Sequence, residues 1–549
     1  MPAKTHPDYN EEIKRLDYTL DYVEKSIISM TRRQKKVEED LLGSRKSLNS
    51  DSSQAYIDLM LNSMFEESIK IKLKKLLDAQ SKPYFARIDF KEKDKEQIEK
   101  IYIGKVSLMK EENQELVIVD WRAPISNLYY EERLGEASYL CPDGKITGNL
   151  SLKRQFSIEK GILNEIFDID ITTNDEFLQT YLGANADNRL KDIVSTIQAE
   201  QNRIIRADMW KPLIVQGAAG SGKTTIALHR IAYLIYTYEK TFVPENFMII
   251  APNRLFLNYI SEVLPELGVD KVKQTTFEDF AMELIGKKFK LTDTNEKLTN
   301  FVNNNATDLE VEKNKLVEVE SKFKSSMMFK EILDEYIKDI EKNFIPKEDF
   351  MIGKIVILKY EDINHLFLNE YKDLAMSKRI LEIKKHLINR LKYKKESILS
   401  YIENECDKRV KFLKTKMEDG EERREKIGKI IDRKYELISK LDNVSKKAVN
   451  DYVKKISKID PYEYYYNLIS NKELFYKYTD SKLEDEYQKF IRDYSLEILD
   501  SKKVELEDLA PIIYLKYCIH GIDEKIPVKH IVIDEAQDFS LFQIYVIKK

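Results

Sequence analysis

Cysteine is almost missing from this chain. Three thiols, Cys141, Cys406 and Cys518, lie far apart in 549 residues. The odd, scattered set excludes a disulfide framework and a cysteine zinc cluster, and it fits a reduced protein of the cytoplasm. Histidine is as scarce, with six copies and no HExxH or His/Cys spacing. The metal to expect is therefore Mg²⁺ carried by a nucleotide rather than a caged zinc ion. No stretch of about 18 apolar residues occurs, and the opening MPAKTHPDYNEE is too polar for a signal peptide. A membrane partner is not expected. Net charge is missing as well: 91 Lys and Arg face 95 Asp and Glu, leaving −4. Bulk electrostatics thus do not mark a nucleic-acid binder, while a local basic groove or a protein partner stays open.

What the chain does have is length, more than one core usually organises, so several units are expected. Their textures divide it into residues 1–80, 81–185, 186–286, 287–505 and 506–549. In the first, Ile13, Leu16, Leu20, Val23, Ile27, Met30, Val37 and Leu41 alternate steps of three and four, a heptad seam with Gln34 in one slot. GSRKSLNSDSSQ, residues 43–54, breaks it. Ile57, Leu61, Phe65, Ile69, Leu73 and Leu76 then give a second helix an apolar face, predicting an antiparallel coiled-coil hairpin. Either an ordinary core-packed pair or a protruding probe is compatible with this pattern. Residues 81–185 hold short β-type runs, YFARIDF, IYIGKVSL, LVIVDWRAPIS and NLYYEERLG, and so predict a small β-rich module. Trp121 and Arg122 read more simply as a core tryptophan with a paired arginine than as a docking point. From about Gln201 strand and helix alternate, as an α/β lobe requires. Residues 287–505 are rich in lysine and glutamate, with no proline between Pro346 and Pro461. They predict an inserted helical arm, supported by the spacing of Ile380, Ile383, Leu387 and Leu391, with a solvated bend near Gly420.

The chemistry concentrates in two motifs. GAAGSGKT, formed by Gly217, Ala218, Ala219, Gly220, Ser221, Gly222, Lys223 and Thr224, satisfies the P-loop pattern. Leu213–Gln216 before it reads as a short apolar strand, and Ile226, Ile231 and Leu234 after it have helical spacing. Glycines let backbone N–H groups turn inward on phosphate oxygens at a helix N-terminus. Lys223 would contact the β- and γ-phosphates of ATP, and the Thr224 hydroxyl would coordinate Mg²⁺. In KHIVIDEAQDFS the strand Ile531–Ile533 ends in Asp534 and Glu535. Asp534 would hold Mg²⁺ through its water shell and Glu535 would orient or deprotonate the attacking water.

DEAQD, with Gln537 and Asp538, resembles motif II of the UvrD and Rep-like superfamily 1 helicases, which implies a RecA-like P-loop lobe and adds Gln537 to the catalytic set. IQAEQNRIIR is similar to their Q motif and implies Gln201 at the adenine edge, with Gln198 competing by spacing. Thr225 stands where many UvrD-like proteins have an adenine-stacking arginine, so base recognition is expected to differ. MIIAPNRLFLNYI and KQTTFEDFAMELI resemble motifs Ia and Ib, implying Asn253 and Thr276 as nucleic-acid contacts. Roughly the first third of the chain precedes the Q motif. That third, with the P-loop followed by ALHRIAYL and with EDLAPIIYLKY at 507–517, resembles the HelD-like ATPases that recycle bacterial RNA polymerase. The resemblance is close at 84–131 and 210–251 and loose through the arm. It implies a hairpin in the polymerase secondary channel, an arm in the main channel and release driven by ATP, with DNA as a further partner. The family's second RecA-like lobe, which brings arginines to the γ-phosphate, is missing after Lys549. The expectation is an ATPase by descent that is catalytically incomplete as given, whether fragment, truncated product or one piece of a split protein. A UvrD-like DNA helicase fragment and a non-catalytic polymerase-binding remnant remain the alternatives.

Overall fold

A computed structural model describes residues 2–47, 53–110, 113–169, 193–287, 289–293, 297–299, 307–456, 460–480, 482–522 and 527–549. They form two compact units, one of Met1–Thr275 with Pro527–Asp534 and one of Thr276–Ile526 with Glu535–Lys549.

The first unit begins with two long helices, α1 (Tyr9–Ser47) and α2 (Ser53–Ser81), that pack along each other. Helix α1 continues past the expected break at Gly43 as far as Ser47; residues 48–52 lie outside the described set. Its most buried stripe is Glu12, Leu16, Thr19 and Val23, with Ile13, Leu20 and Ile27 half-buried beside it. On α2 the expected apolar face is only partly used. Leu76 is buried and Ile69 and Leu73 are half-buried, but Ile57, Leu61 and Phe65 are exposed. The apolar period was present without a surface to cover it at that end, because α1 offers its partner mostly polar side chains between Thr31 and Asp40.

Strands β1 (Ala86–Glu92), β2 (Glu99–Gly104), β3 (Leu108–Met109), β4 (Leu116–Asp120), β5 (Gly135–Cys141), β6 (Gly144–Glu159) and β7 (Ile162–Asp168) make one mixed sheet. Its order is β3-β4-β2-β1-β6-β5, with β7 also on β6. Only β2 and β4 pair in parallel. One of the runs read as strand is helical instead: Asn127–Glu131 forms α3, with Leu128, Tyr129 and Tyr130 buried. Pro124 starts a 3₁₀ turn there, supplying the fixed φ that helical entry needs. Two arginines fasten α1 to the sheet. Arg87 and Arg154 each donate to the buried Glu12 carboxylate at 2.7 Å, and Arg154 also reaches Asp8 at 2.6 Å and Asp168 at 2.5 Å.

The rest of this unit holds helices α4 (Ala199–Arg206), α5 (Lys223–Thr237) and α6 (Arg254–Glu266) around strands β8 (Phe247–Ala251) and β9 (Lys273–Thr276) and the strand His530–Ile533. Strand β8 is buried throughout and lies in the middle, parallel to His530–Ile533. Its unbroken apolar run is what a strand covered on both faces requires. The strand expected at Leu213–Gln216 is not formed. Residues 212–218 carry no regular structure, and Ile214 is 94% exposed. Four residues between Pro212 and Gly217 have no ladder to hold them unless a strand edge pairs with them, and proline removes one donor from the attempt.

The second unit is mainly helical. Asp308–Lys324, Met327–Lys342, Pro461–Ser470, Asp485–Asp500 and Leu506–His520 pack on one another, and Met376–Lys416 pairs with Glu421–Lys455. The bend falls at 417–420, with Gly420 in extended backbone before the second long helix. Ile383, Leu387 and Leu391 are buried and Ile380 is half-buried. Two small strand pairs, Lys290–Leu291 with Lys503–Val504 and Phe350–Ile352 with Ile355–Leu358, were not anticipated.

Candidate nucleotide-binding site

The loop from Gly217 to Gly222 runs into the N-terminus of α5 with Gly220 at φ 78° and Gly222 at φ 81°. An L side chain at either position would be strained, so these two glycines are conditions of the loop's shape. The first N–H groups of α5 lack intrahelical partners and, with the helix dipole, favour an anion. Lys223 begins the helix and donates to the carbonyls of Gly217 and Ala218 at 3.0 Å each. The ammonium is thereby kept over the loop that a phosphate chain would follow. Ala218, Ala219 and Ser221 are exposed in the same loop.

Thr224 and Asp534 come together across 310 residues of sequence: the hydroxyl donates to the two carboxylate oxygens at 2.9 and 3.1 Å. The parallel pairing of His530–Ile533 with β8, extended by the Asp534 N–H to the Ile250 carbonyl at 3.0 Å, fixes where that carboxylate falls. A hydroxyl and a carboxylate this close, beside a phosphate loop, fit Mg²⁺ as a hard, oxygen-seeking cation that keeps part of its water shell. Bound there with ATP, the ion would neutralise charge on the phosphates. Among the described residues no three His, Cys, Asp or Glu side chains gather into a protein-only metal cage.

Gln201 is also brought to the loop. A Cβ on Gly222 would sit 3.8 Å from its Nε2. Its Oε1 accepts from the Gln198 N–H at 3.1 Å, so Gln198 serves as the N-cap of α4. Thr225 shares a side-chain hydrogen bond with Tyr259, whose phenol is raised by burial and feels the Asp534 carboxylate.

Glu535 and Gln537 belong to the second unit. Glu535 has φ 50° and accepts a hydrogen bond from the Gln537 side-chain amide. A non-glycine residue in the left-handed region stores strain that must be held by its surroundings. Asn253 and Thr276 are both helix N-caps. Asn253 accepts from Leu255 N at 3.0 Å and Phe256 N at 3.2 Å. Thr276 is buried and exchanges bonds with Asp279 at 3.1 Å. Each already has a local role that accounts for its side chain.

Several supporting residues escaped sequence reading. Arg230 on α5 donates to the carbonyls of Ile204, Ala207 and Asp208 at 2.7 to 3.1 Å. This satisfies the C-terminal end of α4 and ties Gln201's helix to the phosphate-loop helix. Asn202 holds α4 to α3 through Asn127 at 2.6 Å and Glu131 at 2.7 Å. Trp121 is buried against His229, and Arg122 is buried with Asp120 at 2.6 Å, the core reading of that pair. Burial holds His229 down at about 4, so it is neutral at physiological pH. The available signal was a charged residue on a helix face that periodicity buries, as in ALHRIAYL.

No helix among the described residues is long and apolar enough to cross a membrane. Residues 9–180 match the family model described as the N-terminal domain of DNA helicase IV HelD. Residues 197–549, more than half of the chain, match that of the UvrD/REP helicase N-terminal domain. No curated protein matches the chain.

Proposed function

Because this chain belongs to the UvrD/Rep superfamily 1 helicases and carries a HelD-like N-terminal domain, we propose that it is the ATP-binding part of a HelD-like motor that releases and recycles bacterial RNA polymerase. The observation that carries the ATP-binding half is the Thr224–Asp534 contact at 2.9 Å beside the loop held by Lys223. In this reading the loop N–H groups and Lys223 bind the phosphates, Thr224 and Asp534 hold Mg²⁺, Gln201 reads the adenine edge, and Glu535, oriented by Gln537, activates water. The sheet around β8 is read as a RecA-like lobe and α1 with α2 as a coiled-coil hairpin, within the five-segment division of the sequence.

The polymerase half draws on the far part of the helical pair. Met60, Met64 and Phe65 are exposed there at 59, 61 and 58%, more than a solvated helix face explains. Co-purification of the full chain with core RNA polymerase from its own source tests the reading. Wild type is expected to be retained and Met64→Glu/Phe65→Glu to be lost, while Lys223→Ala is retained but no longer binds a fluorescent ATP analogue. Absence of any polymerase in the wild-type eluate, with salt-sensitive retention of single-stranded DNA instead, would replace it with a UvrD-like DNA helicase reading. Polymerase retention without ATP-analogue binding by wild type would point to a non-catalytic remnant. A specific observation keeps the DNA reading in view: Leu255, two residues after Asn253 in the first turn of α6, is 79% exposed.

A further inference from the structure

The first unit contains a cavity of about 910 Å³ that the nucleotide site does not use. Its walls are the inner faces of α1 and α2, the β3–β4 region, and the last turn of α5 with Glu239 beyond it. Five cations line it, Lys25, Lys72, Lys75, Lys110 and Arg122, against two carboxylates, Asp120 and Glu239. Three of the cations are matched elsewhere: Lys25 with Asp21 at 2.6 Å, Lys110 with Glu115 at 2.7 Å and Arg122 with Asp120 at 2.6 Å. Lys72 and Lys75, three residues apart and so on one face of α2, make no hydrogen bond or ion pair with any described residue. Lys75 is half-buried, and a Cβ on Gly268 would sit 3.4 Å from its Cε. Burial first, and Arg122 second, hold its ammonium below the ordinary lysine range, outweighing Asp120, Asp270 and Glu239. Ser29 lines the same cavity from α1.

A half-buried ammonium with no direct ion pair is costly, and an anion from outside that pairs with it would offset that cost. We propose that this cavity binds a small soluble phosphate-bearing anion of up to nucleotide size, held by Lys72 and Lys75 with Ser29 as a further donor. With Lys25, Lys110 and Arg122 matched, two ammonium groups remain against Glu239, and their several N–H donors suit the clustered acceptor oxygens of a phosphate rather than a single carboxylate. The volume exceeds that of a polyphosphate alone, which leaves room for an attached sugar or base. The site lies near the last turn of the helix whose first residue is Lys223, at the end opposite the phosphate loop.

Competitive amine labelling of the full-length protein, read at Lys75 by mass spectrometry, tests this with tripolyphosphate as probe and a nucleoside triphosphate in a second arm. Tripolyphosphate is expected to protect Lys75 at least fivefold while leaving Lys145, exposed and outside the cavity, unchanged, and to do so equally in Lys223→Ala. Stronger protection by the nucleotide would assign the base side of the cavity; equal protection would assign the phosphate chain alone. By calorimetry the number of tripolyphosphate sites should fall by one in Lys72→Gln/Lys75→Gln. Unchanged Lys75 labelling at millimolar probe, or the same number of sites in the double variant, overturns the proposal. Protection that vanishes in Lys223→Ala also overturns it, since the probe would then be acting from the phosphate loop.

Discussion

Charge is used in two opposite ways in this chain. Around Gly217–Thr224 it lies in an exposed loop, and among the described residues Lys223 is satisfied only by two backbone carbonyls. Around Glu12 in the first unit and Lys324 in the second it is buried and satisfied by its own kind. Glu12 is met by Arg87 and Arg154 at 2.7 Å each and by the Tyr102 hydroxyl at 3.0 Å. Lys324, fully buried, meets Glu320 at 2.6 Å, Asp508 at 2.7 Å and Glu505 at 2.9 Å. The exposed loop can exchange its internal partners for a ligand at little cost to the fold. The buried clusters cannot, since removing one member strands the others in a low dielectric. One kind of charge is there to bind and the other to hold elements in place.

The harshest way to break this comparison is Glu12→Leu. It leaves Arg87 and Arg154 buried with one shared partner gone, and the expected loss is about 3–5 kcal/mol of stability, read from the denaturant midpoint of the first unit. A loss under about 1 kcal/mol would mean that Asp8, Asp89 and Asp168 suffice and that the cluster does not fasten α1. Lys223→Ala should do the reverse. Losing a charge-assisted contact to phosphate costs about 1.5–3 kcal/mol of nucleotide binding, roughly 10- to 100-fold in Kd, while the midpoint of thermal unfolding stays put. A Tm fall comparable to that of Glu12→Leu would place Lys223 among the structural charges instead.

The two buried clusters also differ from each other, and pH separates them. Arginine keeps its proton at any ordinary pH, so Arg87 and Arg154 stay charged throughout. In the other cluster burial lifts Glu320 to about 8, against the pull of Lys324. The folded state therefore holds that proton more tightly than the unfolded chain does. Its stabilising contribution is complete below the unfolded value near 4.5 and is lost as pH rises through about 8. Glu505 is shifted the other way: burial opposes its charge, but Lys324 and Lys297 together win and lower it. Its contribution is present above the unfolded carboxylate value and lost on acidification. Denaturant midpoints of the second unit should thus decline between pH 5 and 8.5, with the decline flattened in Glu320→Gln. Equal slopes in both proteins would sink the assignment of this proton.

The same contrast explains what could be read from the sequence. Lys223, Thr224 and Asp534 were legible because chemistry fixes their type and spacing, and the α5 helix and β8 strand around them followed from apolar pattern. The long helices Met376–Lys416 and Glu421–Lys455 were legible from apolar spacing, and the bend between them from Gly420 within a charged run. What stayed hidden depends on partners distant in sequence. Glu12 and Thr19 occupy the most buried stripe of α1, yet an apolar count passes over both and selects Ile13 and Leu20. Ile57, Leu61 and Phe65 have the right period and no surface to meet. Leu213–Gln216 has strand-like composition, but a strand exists only where an edge pairs with it.

Asn253 gives the finest test, because exposure and local satisfaction occur in one residue. Its Oδ1 caps α6 through Leu255 N and Phe256 N, and Asn253→Ala should cost about 1 kcal/mol of stability for the lost cap. Asn253→Asp keeps the cap, and a carboxylate at a helix N-terminus is if anything favoured, so the stability should return. A phosphate or base contact would not return, because the amide N–H donors are gone and a negative charge faces the nucleic acid. Measured on single-stranded DNA at two salt concentrations, parallel recovery of stability and binding in the aspartate variant would confine Asn253 to capping. Recovery of stability alone would make it a contact as well.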